Sequence, residues 1–204
     1  MNNYAGLAGS VVINPKDHKL IQYDASLALI GVGRSAYVFK INNTNHALKV
    51  FFPSYQHLAK VEADVYKIIQ HIDYFPSLYE SGSHYLVIDF IDGYTLFECL
   101  SRGIPVSENH IKDVDMAINL AREEGLNPSD IHLRNIIIHN GKIKMIDVAR
   151  FKQGETDHQW NDLKTAFYRL YTKSFFPKKI PAFMMNWIAV LYKRFYRKSP
   201  IHIK

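Results

Sequence analysis

The spacing of apolar and polar positions changes several times along the 204 residues, and each change marks an element. Leu27 and Leu29 open an alternating run that passes through Gly31-Val-Gly33-Arg-Ser-Ala36 and resumes at Val38 and Ile41. This predicts a strand, a glycine-bearing turn and a second strand. His46-Ala-Leu-Lys-Val-Phe-Phe52 predicts a third strand, in which Ala47, Lys49 and Phe51 share one face. From His57 to Ile72 the period is helical, with Leu58, Val65, Ile69 and Ile72 on one stripe and Glu62 on the same stripe. Leu78-Tyr79 begins a strand after Pro76. Tyr85 to Ile88 forms another, which runs into Asp89-Phe-Ile-Asp-Gly93, a connection with a breaker in it. Ser107 suits an N-cap for a helix through Ile111, Val114, Ala117, Ile118 and Ala121, and Gly125 suits its stop. Residues 1–19 show no strong period and read as an irregular or short-strand lead-in.

Residues 126–151 hold the pattern around which the chain is arranged. Asn135 enters the apolar run Ile136-Ile-Ile138, Asn140-Gly141 supplies two positive-φ positions for a type I′ turn, and Ile143, Met145 and Ile146 lead to Asp147. Antiparallel pairing places the carboxamide at the hairpin's entry beside the carboxylate at its exit. Asp130 lies in the loop feeding that point. An amide oxygen and a carboxylate together suit Mg²⁺, which takes few protein oxygens and completes its octahedron with water and phosphate. Plain turn chemistry accounts for such Asn and Asp residues as well. Two oddities elsewhere explain one another: a Lys (Lys49) inside an apolar strand and a carboxylate (Glu62) on the core-facing stripe of a helix, since burying either charge alone is costly.

Composition narrows the class. Hydrophobic content of 48% and charge of 22% exclude a disordered chain. The single Cys99 forms no internal disulfide and no Cys cluster for a metal, which fits a reducing, cytoplasmic setting. The N-terminus lacks a signal-peptide pattern, and no run reaches the roughly 18 apolar residues of a membrane span. The net charge of +6 is uneven: Leu163 to Lys204 carries ten Lys and Arg and no acid, leaving fifteen basic and nineteen acidic residues elsewhere. A basic surface for an acidic partner or a membrane is one reading, and a solvated helix face is the other. Ile180 to Lys198 is apolar and then basic. It suits the last helix of a second lobe with its basic end in solvent, or a helix lying in a membrane interface.

Taken in order, these pieces resemble the protein-kinase-like superfamily from about Leu27 to Leu170, most closely its compact bacterial and atypical serine/threonine kinases. The glycine turn is similar to G-x-G-x-x-G-x-V, with Ala36 at the third glycine and Val38 retained. His46-Ala47-Leu48-Lys49 is similar to V-A-I-K, and Asp130-Ile-His-Leu-Arg-Asn135 followed by Asp147 is similar to the catalytic loop and metal-binding Asp. The resemblance implies an α+β, bilobal fold, with a small antiparallel-sheet N-lobe over 1–91 and a short, mainly helical C-lobe over 92–204. It implies ATP between the lobes with one or two Mg²⁺, or Mn²⁺ in their place. Gly31, Gly33, Ala36 and Val38 would cover the phosphates and Ala47 would touch adenine. Lys49, fixed by Glu62, would hold the α- and β-phosphates. Ile88 would act as gatekeeper and the backbone of Asp89 and Ile91 would meet the adenine edge. Asn135 and Asp147 would bind metal, Asp130 would orient the acceptor hydroxyl, and His132 would stand near the γ-phosphate.

The chain departs from the pattern at Pro128, where the family carries the His of His-Arg-Asp, and at Asp147-Val-Ala149 in place of Asp-Phe-Gly. Only fourteen residues separate Asp147 from Asp162, too few for a long activation segment. Asp162 is the candidate for a buried acid bonded to the catalytic loop, with Asp157 as alternative, on a helix whose Leu163, Phe167 and Leu170 share a face. Three readings follow from the resemblance: a minimal serine/threonine protein kinase, a small-molecule or sugar kinase, and a non-catalytic nucleotide-binding module.

Overall fold

A computed structural model describes residues 3–152 and 158–196. Helix α1 (Tyr4–Ser10) is followed by a small hairpin of β1 (Val12–Ile13) and β2 (Leu20–Gln22). Five antiparallel strands then form the main sheet: β3 (Leu27–Val32), β4 (Ala36–Ile41), β5 (His46–Phe51), β6 (Leu78–Ser81) and β7 (Tyr85–Asp89), in the order β3-β4-β5-β7-β6. Helix α2 (His57–Ile69) enters between β5 and β6. The fold is α+β, as expected.

Strand β5 lies in the middle of the sheet and is buried along nearly its whole length. Ala47 and Phe51 join the core that includes Ala63 and Tyr66 of α2, whereas Leu48 and Val50 join a second core with Ala8 of α1. The N-terminal segment is therefore a helix that seals the outer face of the sheet, where the sequence gives no period. Seven residues with Gly6 and Gly9 among them form a poor helix on propensity alone; Asn3 caps it by accepting from the Gly6 N–H.

Past β7 the chain crosses to a second group of elements. Strand β8 (Tyr94–Thr95) pairs with β9 (Ile136–His139), which pairs with β10 (Lys142–Met145). Gly93 stands where this crossing meets β9, and a Cβ there would run into the Ile138 carbonyl oxygen and the Ile137 side chain. Gly93→Ala is expected to cost about 2–3 kcal/mol in urea unfolding, because the obstacle is backbone and cannot turn aside.

Helix α3 (Leu96–Arg102) starts at a reciprocal capping box of Thr95 and Glu98 and stops at left-handed Gly103. Helix α4 (Glu108–Glu123) takes Ser107 as N-cap, as expected, and ends before Gly125 at φ +77°. The β9–β10 turn places Asn140 and Gly141 at φ +49° and +77°, the type I′ signature, with Met145 opposite Ile136.

Helix α5 (Gln159–Ala166) runs into a π-helical turn over Phe167–Tyr171. The wider turn shifts the register, so Tyr171 is buried and Leu170 is left 47% exposed. The expected shared face of Leu163, Phe167 and Leu170 thus holds only for the first two, which pack against the core. Helix α6 (Ala182–Tyr196) closes the described chain.

Candidate active site

The site forms where β5, α2 and the exit of the β9–β10 hairpin meet. Lys49 projects from β5 and is 8% exposed; Glu62, fully buried on α2, accepts from its Nζ through both carboxylate oxygens at 2.7 and 2.9 Å. Asp147 accepts from the same Nζ at 3.0 Å. One ammonium thus binds two carboxylates brought from positions 13 and 98 residues away. The two oddities of the sequence pair as expected.

Charge within this triad is unevenly held. Burial works against the Lys49 ammonium, but the Glu62 and Asp147 carboxylates outweigh it and hold its pKa well above the ordinary value. The neighbouring Lys49 keeps Asp147 below its usual range against the opposing effect of burial, with smaller help from His132 and Arg34. Burial pushes the Glu62 carboxyl up to about 7, with Lys49 pulling it back and Asp147 adding to the rise.

A pH dependence follows. With Glu62 titrating near 7 in the folded chain and at the ordinary 4.5 when unfolded, the native state binds the extra proton between those values. The stability from this group is complete below the lower value and is lost as pH rises through the upper one. Between about pH 5.5 and 8, wild type should lose about 2 kcal/mol more than Glu62→Gln in paired urea titrations.

Asp147 and Asp130 both sit at left-handed backbone angles, φ +60° and +58°. Each costs about 1 kcal/mol for a non-glycine residue, so surrounding contacts must hold them. Around Asp147 they include the Ile146 N–H donating to the Asn135 carbonyl at 2.9 Å and the packing of fully buried Val148. Asn135 is itself buried and donates through Nδ2 to the Asp130 carbonyl at 3.2 Å, which leaves its Oδ1 as an oxygen donor. One hydrogen bond thus ties Asp130 to Asn135, and another ties Asn135 to the residue before Asp147. Among the described residues no three His, Cys, Asp or Glu side chains gather as a metal site.

The Asp130 carboxylate meets two arginines. Arg34, at the tip of the turn between β3 and β4, donates to Oδ2 at 2.6 Å, and Arg150 lies 3.5 Å from the same oxygen. Neither arginine stands out in the sequence beyond the position of one guanidinium at the tip of a glycine turn. Gly31 pairs with Val38 across that turn, the Gly33 N–H donates to the Ala36 carbonyl, and Val38 stands opposite Lys49 on the neighbouring strand. Neither glycine needs a positive φ.

Ala47 stands opposite Ile88, at the end of β7. Asp89 has its N–H on the Ser77 carbonyl and its carboxylate on the Ser77 N–H and the Tyr79 hydroxyl, and Ile91 is half-buried just beyond. Asp162 is half-buried rather than buried and accepts from the Tyr192 hydroxyl at 2.6 Å, so it anchors α6. Asp157 lies outside the described residues. A cavity of about 210 Å³ beside α4 and α5, lined by Asp115, Asn119, Arg122, Trp160 and Lys164 among others, holds none of the site residues.

No protein-family model matches the chain. A curated protein of Bacillus subtilis (strain 168), named "Putative serine/threonine-protein kinase YrzF", is 46% identical over 184 residues, covering 89% of this chain and 86% of that one. Identity at that level over nearly the full length of both carries one fold. The chain belongs to the protein-kinase-like family of phosphotransferases.

Proposed function

We propose that this protein transfers the γ-phosphate of ATP to a hydroxyl group, most simply a serine or threonine of a protein acceptor. The observation that carries the reading is the buried Lys49 ammonium held between Glu62 and Asp147 beside the glycine turn. A core charge cluster of this kind costs stability when its only purpose is packing, because apolar residues of the same volume do as well. Its value lies in a fixed cation for phosphate and a fixed carboxylate for a metal ion.

The donor set fits Mg²⁺. Asn135 Oδ1 and the Asp147 oxygen not facing Lys49 would supply two hard oxygen ligands, and ATP phosphates and water the rest. The ion supplies charge neutralisation as the phosphoryl group moves. Lys49 holds the α- and β-phosphates, with Glu62 setting its direction. Gly31, Gly33, Ala36 and Val38 form the lid over the phosphates, and Ala47 and Ile88 line the adenine side, where the backbone near Asp89 and Ile91 supplies polar contacts. With its N–H already on Ser77, Asp89 has only its carbonyl to offer. Asp130 accepts the proton of the acceptor hydroxyl as its oxygen bonds to the γ-phosphorus and the bond to the ADP leaving oxygen breaks. Arg34 must first let go of Asp130, and the γ-phosphate offers it a stronger partner. His132, whose charge helps lower the Asp147 carboxyl, would stand near the γ-phosphate.

A second reading has a specific feature in its favour. Eleven residues separate Asp147 from the start of α5 at Gln159, which leaves little platform for a bound peptide and favours a small-molecule hydroxyl. Transfer of label from γ-labelled ATP, offered a generic protein and a small-molecule extract in separate arms, distinguishes them. Label in protein supports the first reading, and label only in small molecules supports the second. ATP-induced thermal stabilisation without transfer in either arm contradicts both and leaves a nucleotide-binding module.

A further inference from the structure

The outward face of α6 is apolar. Phe183 is 74% exposed, Trp187 67%, Val190 63%, Ile188 58% and Met184 44%. At 100° per residue these five fall within one arc of about 160°, wide enough for a core-facing helix stripe. This arc points away from the protein. The opposite side of α6 makes the attachments: Met185 is buried, Tyr192 donates to Asp162, and Asn186 accepts from Arg134 at 2.9 Å. An apolar face of this size on a folded chain marks an interaction surface.

Charge selects the occupant. The sequence from Leu163 to Lys204, which contains α6, carries ten Lys and Arg and no Asp or Glu. Two copies joined through this face would bring two such strongly positive regions together without a compensating acid. Phosphate-rich nucleic acid would satisfy the charge but leave isoleucine, valine and phenylalanine without a partner. A negatively charged bilayer answers both: its acyl boundary accepts a convex apolar face, and its headgroups accept the cations.

We propose that α6 docks in the plane of an anionic membrane, with Phe183, Trp187 and Ile188 entering the acyl boundary. No helix among the described residues is long and apolar enough to cross a membrane, so the contact is interfacial. Arg134, which holds Asn186, directly precedes Asn135, and its guanidinium stacks 3.5 Å from the Phe97 ring, tying α6 to the catalytic loop and α3.

The test uses the full chain with vesicles of phosphatidylcholine alone and of phosphatidylcholine mixed with phosphatidylglycerol. The chain has two tryptophans, and Trp160 is buried, so a change in emission on adding lipid reports on Trp187. Wild type should sediment with the mixed vesicles only, lose that binding at high salt, and shift its emission to the blue. The double variant Phe183→Ser, Trp187→Ser, altered only at exposed positions, should keep the wild-type melting temperature and bind roughly tenfold more weakly or worse. Its lost tryptophan is followed by sedimentation instead. Equal binding by the double variant, no binding by wild type, or a lipid-free dimer that the double variant abolishes would each overturn the proposal. These outcomes are independent of phosphate transfer.

Discussion

Lys49→Met is expected to abolish phosphate transfer and to lower unfolding stability by about 3 kcal/mol, the scale for breaking a buried ion pair from one side. The Lys49 ammonium binds the carboxylates of both Glu62 and Asp147, and Glu62 has no access to solvent. Removing the cation leaves two like charges facing each other. The buried carboxyl partly escapes by taking a proton, so the loss should be larger at pH 8 than at pH 6. Adding Glu62→Leu to Lys49→Met removes the stranded carboxylate and should recover most of the stability while recovering no transfer. Urea unfolding of the four proteins of this cycle checks the first half and single-turnover transfer the second. Full stability in Lys49→Met alone would show that the pair contributes nothing to folding.

Asp130→Asn should separate the two properties. Its carboxylate meets Arg34 and Arg150, whose side chains are 61% and 50% exposed. Ion pairs open to water contribute about 0–1 kcal/mol, so the melting temperature should move little. Transfer should fall by roughly 10²–10⁴-fold, the usual contribution of a positioned general base. ATP affinity should change far less than turnover, because the acceptor hydroxyl and not the nucleotide meets this carboxylate. A fall in ATP affinity as large as the fall in turnover would move Asp130 from the acceptor to the phosphates.

The contrast between these variants follows how the site is built, and so does its legibility in sequence. The β9–β10 hairpin was readable because Asn140-Gly141 permits few conformations. The Lys49–Glu62 pair was readable because each charge sits in an apolar pattern and asks for an opposite one. Ser107 and Gly125 marked the ends of α4 by cap chemistry. Helix α1 was not readable: two glycines and seven residues carry almost no intrinsic preference, and burial of Ala8 against β5 decides its state. The capping box at Thr95 and Glu98 was present in the letters, but the chain there resembled a simple connection. Leu170 turned outward because a π turn, invisible to a periodic reading, adds to the helix register. Arg34 and Asp130 are 96 positions apart, and neither is an oddity in its own segment. Pairs of that kind emerge only from the tertiary arrangement.

The most direct test of the central claim is transfer of label from γ-labelled ATP in Mg²⁺, with wild type beside Asp147→Asn. Asparagine keeps the shape of the side chain and removes the charge that binds Lys49 and would hold the metal ion. Wild type should transfer label in a Mg²⁺-dependent reaction, and Asp147→Asn should transfer at least about 10³-fold less with its fold intact by circular dichroism. Transfer at the wild-type rate by a folded Asp147→Asn, or none by wild type with any acceptor, would contradict the account.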